Sequence, residues 1–178
     1  MPYLVAAVVL VGLLCLFDLL LTVGVIRRLR AQSTLLAGYR GAMGEVMMPT
    51  GSVVGDFVTT TVDSKIISRT QIDDSLVGFF STSCEGCVDA LETFVPMAKL
   101  VPGGRPKVLA VVVGDRSNAG KFVDVLSPVA QVVVEAEHGP MARAFEVNGY
   151  PAVAMVGAGG VLTAAGATIK LDPATAAA

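Results

Sequence analysis

An apolar run opens the chain and constrains everything after it. From Tyr3 to Ile26 the only charged side chain is Asp18, and Arg27, Arg28 and Arg30 close the run. As an α-helix it would extend about 36 Å, enough to cross a hydrocarbon core of about 30 Å with some tilt. A cleavable leader carries its positive charge ahead of the apolar run and small residues behind it. Here the charges come behind. The sequence therefore predicts an uncleaved, single-pass membrane anchor at 3–26, with the lipid bilayer as its partner. The anchor also helps explain a composition that is 53% hydrophobic and 16% charged over 178 residues, where soluble domains average about 25% charged.

Three arginines behind the span place the following domain in the cytoplasm by the positive-inside rule. A carboxyl group at Asp18 costs about 2.5–3.5 kcal/mol on insertion scales. A polar contact with a second membrane helix and a protonated or tilt-relieved side chain both fit it. Cys15 has no cysteine neighbour in the span and reads as a packing residue. Residues 27–50 read as a basic juxtamembrane segment and tether, with Gly38, Gly41 and Gly44 and with Met43, Met47 and Met48 as flexible packing groups. Residues 172–178 form an Ala-rich tail. A formal net charge of −2 argues against a nucleic-acid footprint. Three cysteines and one histidine exclude a four-thiolate zinc site and any mechanism needing two imidazoles.

After residue 50 the periodicity changes to alternating strands and helices. Ser52–Val62 and Lys65–Ser68 read as short β segments turning at Asp63-Ser64. Leu76–Phe80 and Val108–Val113 are apolar runs of the kind a doubly covered strand needs. Val88–Leu100 repeats apolar residues at helical spacing and ends at Pro102-Gly103-Gly104. Ser117–Leu126 and Pro140–Val147 read as helices, the second opened by a first-turn proline. Val129–Glu135 is strand-like. Ala152–Val156 and Val161–Ala165 are two strands joined by Gly157-Ala158-Gly159-Gly160. This order predicts an α/β sandwich with a mixed sheet closed by an antiparallel hairpin.

Cys84-Glu85-Gly86-Cys87 sits where the first central strand gives way to its helix. At a helix amino terminus, free N–H groups favour negative charge on the outer sulfur. Cys87 lies one turn on and nearly on the same face, so the sulfurs can bond without backbone movement. Cys84 can then attack a partner disulfide and Cys87 can resolve the mixed disulfide. A purely structural disulfide is the competing reading, weakened because so short a loop gains little from closure. The second signal is Tyr150-Pro151 at a strand start, a place proline occupies only with positional meaning.

Phe79-Phe80-x-x-x-Cys84-x-x-Cys87, Tyr150-Pro151 and the hairpin with Gly159-Gly160 together resemble the thioredoxin superfamily over residues 51–171. The interval from Cys87 to Pro151 leaves room for one more strand–helix unit than a minimal thioredoxin has. With the amino-terminal hairpin and the anchor, the chain is similar to the membrane-tethered TlpA/ResA-like branch, and within it to methylamine-utilisation proteins of the MauD type. Proteins of that kind work mostly on the exported side, reducing or isomerising disulfides in apocytochromes or maturing enzymes. The resemblance implies a thioredoxin-like three-layer sandwich with a mixed central sheet and no cofactor or metal. It implies Cys84 as nucleophile, Cys87 as resolving thiol in a redox-active disulfide, Pro151 as the cis-proline, and Glu85, Gly86 and Tyr150 as modulating neighbours. It also implies a protein thiol or disulfide substrate, a membrane electron donor and a domain on the exported face, against the positive-inside rule.

Three features depart from that pattern. Ser83 stands where many thioredoxins have tryptophan. The central strand reads Val77-Gly78-Phe79, without the buried acid that many relatives place there. The nearest carboxylates in sequence are Glu85 and Asp89. A carboxylate beside Cys84 opposes its ionisation, which predicts a reducing couple; a solvated Glu85 with little effect is the other reading. Ser81-x-x-Cys84 faintly resembles a peroxiredoxin site, but Val77 replaces its proline, and Arg143 reads as a helix-surface residue rather than an activating arginine. A thiol peroxidase and a non-catalytic assembly module docking a membrane partner are the alternatives. His138 reads as a solvated loop residue.

Overall fold

The structure, a computed structural model, describes Gly12 and residues 46–169. The predicted anchor at 3–26, the arginines behind it, the tether as far as residue 45 and the tail 172–178 lie outside the described residues. Among the described residues no helix is long and apolar enough to cross a membrane.

Two strands, β1 (Val58–Thr60) and β2 (Ile66–Ser68), form an antiparallel hairpin. Its turn contains Ser64 with φ of 62°. The main sheet has five strands: β3 (Ser75–Ser81), β4 (Val108–Val113), β5 (Gln131–Glu135), β6 (Ala152–Val156) and β7 (Leu162–Gly166). Their spatial order is β5-β4-β3-β6-β7. The first three run parallel, and β6 and β7 are antiparallel to their neighbours. Parallel neighbours need crossover connections, and α1 (Glu85–Leu100) and α2 (Gly120–Leu126) supply them. β5 and α2 are the additional strand–helix unit for which the sequence left room. All residues of β3 and β4 are buried, which is why these strands read as unbroken apolar runs.

Pleating sends alternate side chains to opposite faces. Leu76, Phe80, Ala110, Val112 and Val132 pack with Leu91, Phe94 and Ala98 of α1 and Phe122 and Leu126 of α2. Val77, Phe79, Val111, Val113 and Val133 face the other way, toward Met141 and Ala144 of α3 (Pro140–Ala144) and toward Phe145, Met47, Phe57 and Ile72. The result is the predicted three-layer sandwich. Each layer is joined to the sheet by an edge-on aromatic pair, Phe79–Phe145 on one side and Phe80–Phe94 on the other, both with ring centroids 5.1 Å apart.

Several boundaries shift for identifiable reasons. Met47 and Met48, read as tether, are buried in the core. Met48 N–H donates to the Phe145 carbonyl at 3.1 Å, and the Val46 carbonyl accepts from Asn148 and Gly149. Residues 46–48, within the predicted tether, thus pack and bond with the sheet-bearing unit. Most of Ser52–Val62 is not strand: Val53 bridges Val161 at the sheet edge and Gly55 N–H bonds the Ala144 carbonyl. Residues before Gly120 form a turn closed by Asn118 N–H to the Asp115 carbonyl, which shortens α2. α3 stops at Ala144 because Glu146 adopts φ of 49°, a conformation no right-handed helix continues through.

Gly78 shows what replaces the missing acid of the central strand. A Cβ there would stand 2.6 Å from Cε2 of Phe94, so the α1 ring occupies the space a side chain would need. Overpacking of this kind costs about 1–3 kcal/mol. Gly78→Ala should lower the urea midpoint of the folded domain by that amount of stability, with the slope of the transition unchanged.

Candidate active site

The strand-to-helix joint after β3 is held by its own short polar contacts. Thr82 N–H donates to the Val113 carbonyl at 3.0 Å and Cys84 N–H to the Ser81 carbonyl at 3.2 Å. The hydroxyls of Ser81 and Ser83 lie 2.9 Å apart. Gly114, at φ of 140°, leaves space for the Thr82 side chain, which a Cβ at that position would strike. These contacts fix the residue from which α1 starts.

That residue is Cys84, the N-cap of α1, with extended φ and ψ of −100° and 110°. It is half-buried, whereas Cys87 is fully buried, and both are free thiols. Cys87 Sγ accepts the Ser81 N–H at 3.4 Å. Burial pushes the Cys87 thiol up from 9.0 to about 12; the adjoining Cys84 thiol adds to the rise, and the Ser81 N–H opposes it. One sulfur thus faces outward at the helix tip and the other is held neutral beneath it. Glu85 and Gly86 are exposed on the first turn, as is Asp89.

Facing the outer sulfur is the start of β6. The Tyr150–Pro151 peptide is cis, and Cys84 Sγ donates to the Tyr150 carbonyl at 3.5 Å. Tyr150 packs against both core layers. Its hydroxyl is pushed above the usual tyrosine value by burial first, then by the negative fields of Glu135 and Glu137 and by Cys87. The structure therefore brings Cys84, Cys87, Tyr150 and Pro151 together. His138 is exposed in a loop at φ of 57° and Arg143 is exposed on α3. Cys15 and Asp18 lie outside the described residues.

Two contributors escaped the sequence reading. Ser81 serves through its backbone N–H, which no side-chain motif reveals. Glu135, 8% exposed, is a buried carboxylate at the end of β5. It accepts N–H groups from Met141 at 3.2 Å and Ala142 at 2.9 Å. Burial raises its carboxyl from 4.5, against the two N–H bonds and the field of Arg143. The available signal was a charged residue closing an apolar strand a few positions before Gly139-Pro140. A polar cleft of about 490 Å³ opens at the same end of the sheet, with Thr82, Ser83, Asp115, Asn118 and Glu137 on its walls. Among the described residues no group of three His, Cys, Asp or Glu side chains is placed to hold a metal ion.

No protein-family model matches the sequence, and no curated protein does. Solved structures do match. The thioredoxin domain of a thiol-disulfide oxidoreductase from Bacteroides vulgatus aligns over 66% of this chain and 88% of its own, at 15% identity and a TM-score of 0.53. A thio-disulfide isomerase from Thermus thermophilus aligns over 66% and 85%, at 14% identity and 0.53. A thiol-disulfide oxidoreductase from Bacteroides fragilis aligns over 70% and 95%, at 13% identity and 0.53. At these identities the likeness establishes the fold: the described domain is a thioredoxin-like α/β sandwich with a mixed central sheet.

The site's asymmetry has two measurable consequences. Iodoacetamide at pH 8 should label Cys84 and leave Cys87 unlabelled in the folded, reduced chain, as read by peptide mass mapping. The Cys87 thiol is raised on folding, so its neutral form favours the folded state. That contribution is complete below pH 9.0 and is lost as the pH climbs toward about 12. Urea titrations across this window should show a larger loss in the reduced wild type than in Cys87→Ala, which keeps the contribution of the raised Tyr150 hydroxyl.

Proposed function

We propose that the chain is a membrane-anchored thiol–disulfide oxidoreductase that reduces or isomerises disulfides in exported proteins. The observation that carries this reading is the pairing of an accessible sulfur at a helix tip with a buried one beneath it, the outer one facing the Tyr150 carbonyl. Geometry of this kind divides the labour. Cys84, as thiolate, attacks one sulfur of a substrate disulfide; a new S–S bond forms and the departing substrate sulfur takes up a proton. Cys87 then gives up its proton and attacks Cys84 Sγ. The second substrate thiol leaves, and Cys84 and Cys87 end as a disulfide, two electrons having passed to the substrate. A dithiol donor in the membrane returns the pair to its reduced form.

The solved structures named above carry oxidoreductase and isomerase names, which supports the same reading. The tethered, MauD-like placement rests on the apolar run at 3–26 and on the sequence resemblance. An exported domain runs against the three arginines, but a weak charge asymmetry is readily overridden. A cytosolic thiol reductase also has little reason to be anchored. Cys87 adjoins Cys84 and can resolve a mixed disulfide, which favours the two-cysteine reading over the peroxidase alternative, in which Cys84 alone would act. Glu85, exposed beside Cys84 in the first turn of α1, favours a couple that works in the reducing direction.

Three experiments test this. With dithiothreitol as donor, the full-length protein should reduce insulin, and Cys84→Ser should abolish the activity whereas Asp18→Asn should not; activity surviving in Cys84→Ser contradicts the reading. Cys87→Ser should accumulate a mixed disulfide through Cys84, releasable by reductant. A periplasm-dependent reporter fused to the carboxyl terminus should be active if the domain is exported, and inactive if the arginines decide the topology.

A further inference from the structure

Glu135 occupies a position that touches both halves of the site. Through its backbone it serves the cysteine side: the Glu135 carbonyl accepts from Gly114 N–H at 2.9 Å, and Gly114 is the residue that makes room for Thr82. Through its side chain it serves the proline side. α3 has no cap of its own, because its N-cap is Gly139 and its first residue is Pro140, which has no N–H to satisfy. The next two donors, Met141 and Ala142, both end on the Glu135 carboxylate. Gly139 is matched to this arrangement, since a Cβ there would collide with the Glu135 carboxyl group.

From α3 the chain reaches the site with little slack. Val147 N–H bonds the Ala142 carbonyl, and Asn148 and Gly149 N–H both bond the Val46 carbonyl. Tyr150 follows at once, its carbonyl opposite Cys84 Sγ. A carboxylate inside a sheet edge is costly unless something requires it. A Ser or Asp at the N-cap would satisfy the same helix from the surface. The buried alternative ties α3 to the strand end that also braces the cysteine loop.

We infer that Glu135 is a positioning residue, whose two bonds to α3 hold the Tyr150–Pro151 edge at the separation from Cys84 that an extended protein substrate needs. The inference rests on the oxidoreductase reading and deepens it: it concerns substrates that lie along that edge, not the intrinsic reactivity of the thiols. Glu135→Gln keeps the volume but can accept only one of the two N–H groups and turns a donor toward the other.

The test uses full-length protein and two disulfides: insulin, which must lie along the edge, with dithiothreitol as electron donor, and 5,5′-dithiobis(2-nitrobenzoic acid), which needs no edge, mixed in a single turnover with pre-reduced protein freed of dithiothreitol. For Glu135→Gln the insulin KM should rise about tenfold, the scale of one lost charged hydrogen bond, with kcat changed by less than about twofold. The rate with the small disulfide should stay within about twofold of wild type. Amide exchange at Met141 and Ala142 should accelerate while exchange in α1 stays as it was. An unchanged insulin KM in the folded variant overturns the inference, and so does an equal loss on both disulfides, which would place the effect on the thiols. Glu135→Asp, which keeps the charge with a shorter reach, serves if the Gln variant does not fold; the same split is expected of it. If the wild type reduces neither disulfide, the oxidoreductase reading falls and this inference falls with it; if only the variant's split is missing, the oxidoreductase reading stands.

Discussion

The antiparallel pairing of β3 with β6 is the constraint on which the site depends. Its register sets Phe79 against Ala152 and Ser75 against Val156, so the end of β3 that launches the cysteine loop lies beside the start of β6. Residues far apart in the chain become neighbours, and Cys84 meets the Tyr150 carbonyl. A slip of one residue would exchange the two faces of β6. The register is held because both faces of the paired strands are buried, with Phe79 toward α3 and Phe80 toward α1. A packed core thus fixes the distance between a nucleophile and the backbone it faces.

The same architecture explains the inequality of the two thiols. α1 begins at Cys84, so that residue stays at the rim, while a helical turn carries Cys87 down into the layer of Phe80, Leu91 and Phe94. The Ser81 N–H is the one polar group that Cys87 reaches in the strand end. Burial outweighs this donor and keeps the inner thiol protonated. Glu135 occupies the equivalent place on β5. It too is a strand end turned inward, but its two N–H partners make a charged group tolerable there.

Much of this was legible in the sequence because burial leaves a strong imprint. Val108–Val113 and Ala152–Val156 are strands with the bounds their apolar runs suggest, and Cys-x-x-Cys on a strand–helix joint located the cysteine pair. What could not be read depends on contacts distant in sequence. Met47 and Met48 looked like tether because nothing local shows that Phe145 and Asn148 would bind that segment. Gly78 looked like a deficiency, the absence of an acid, until the Phe94 ring was seen filling its place. Glu135 looked like the polar end of a strand; its burial is decided by the helix that follows.

An equilibrium titration of the reduced chain in glutathione or dithiothreitol redox buffers, quenched in acid and unfolded before Cys84 and Cys87 are read separately by alkylation and mass mapping, addresses the central claim most directly. The account predicts that the two thiols disappear together in one reversible two-electron transition, at a potential between about −300 and −180 mV. Thiols that never pair, or a disulfide that resists reduction below about −300 mV as structural bridges do, would contradict it.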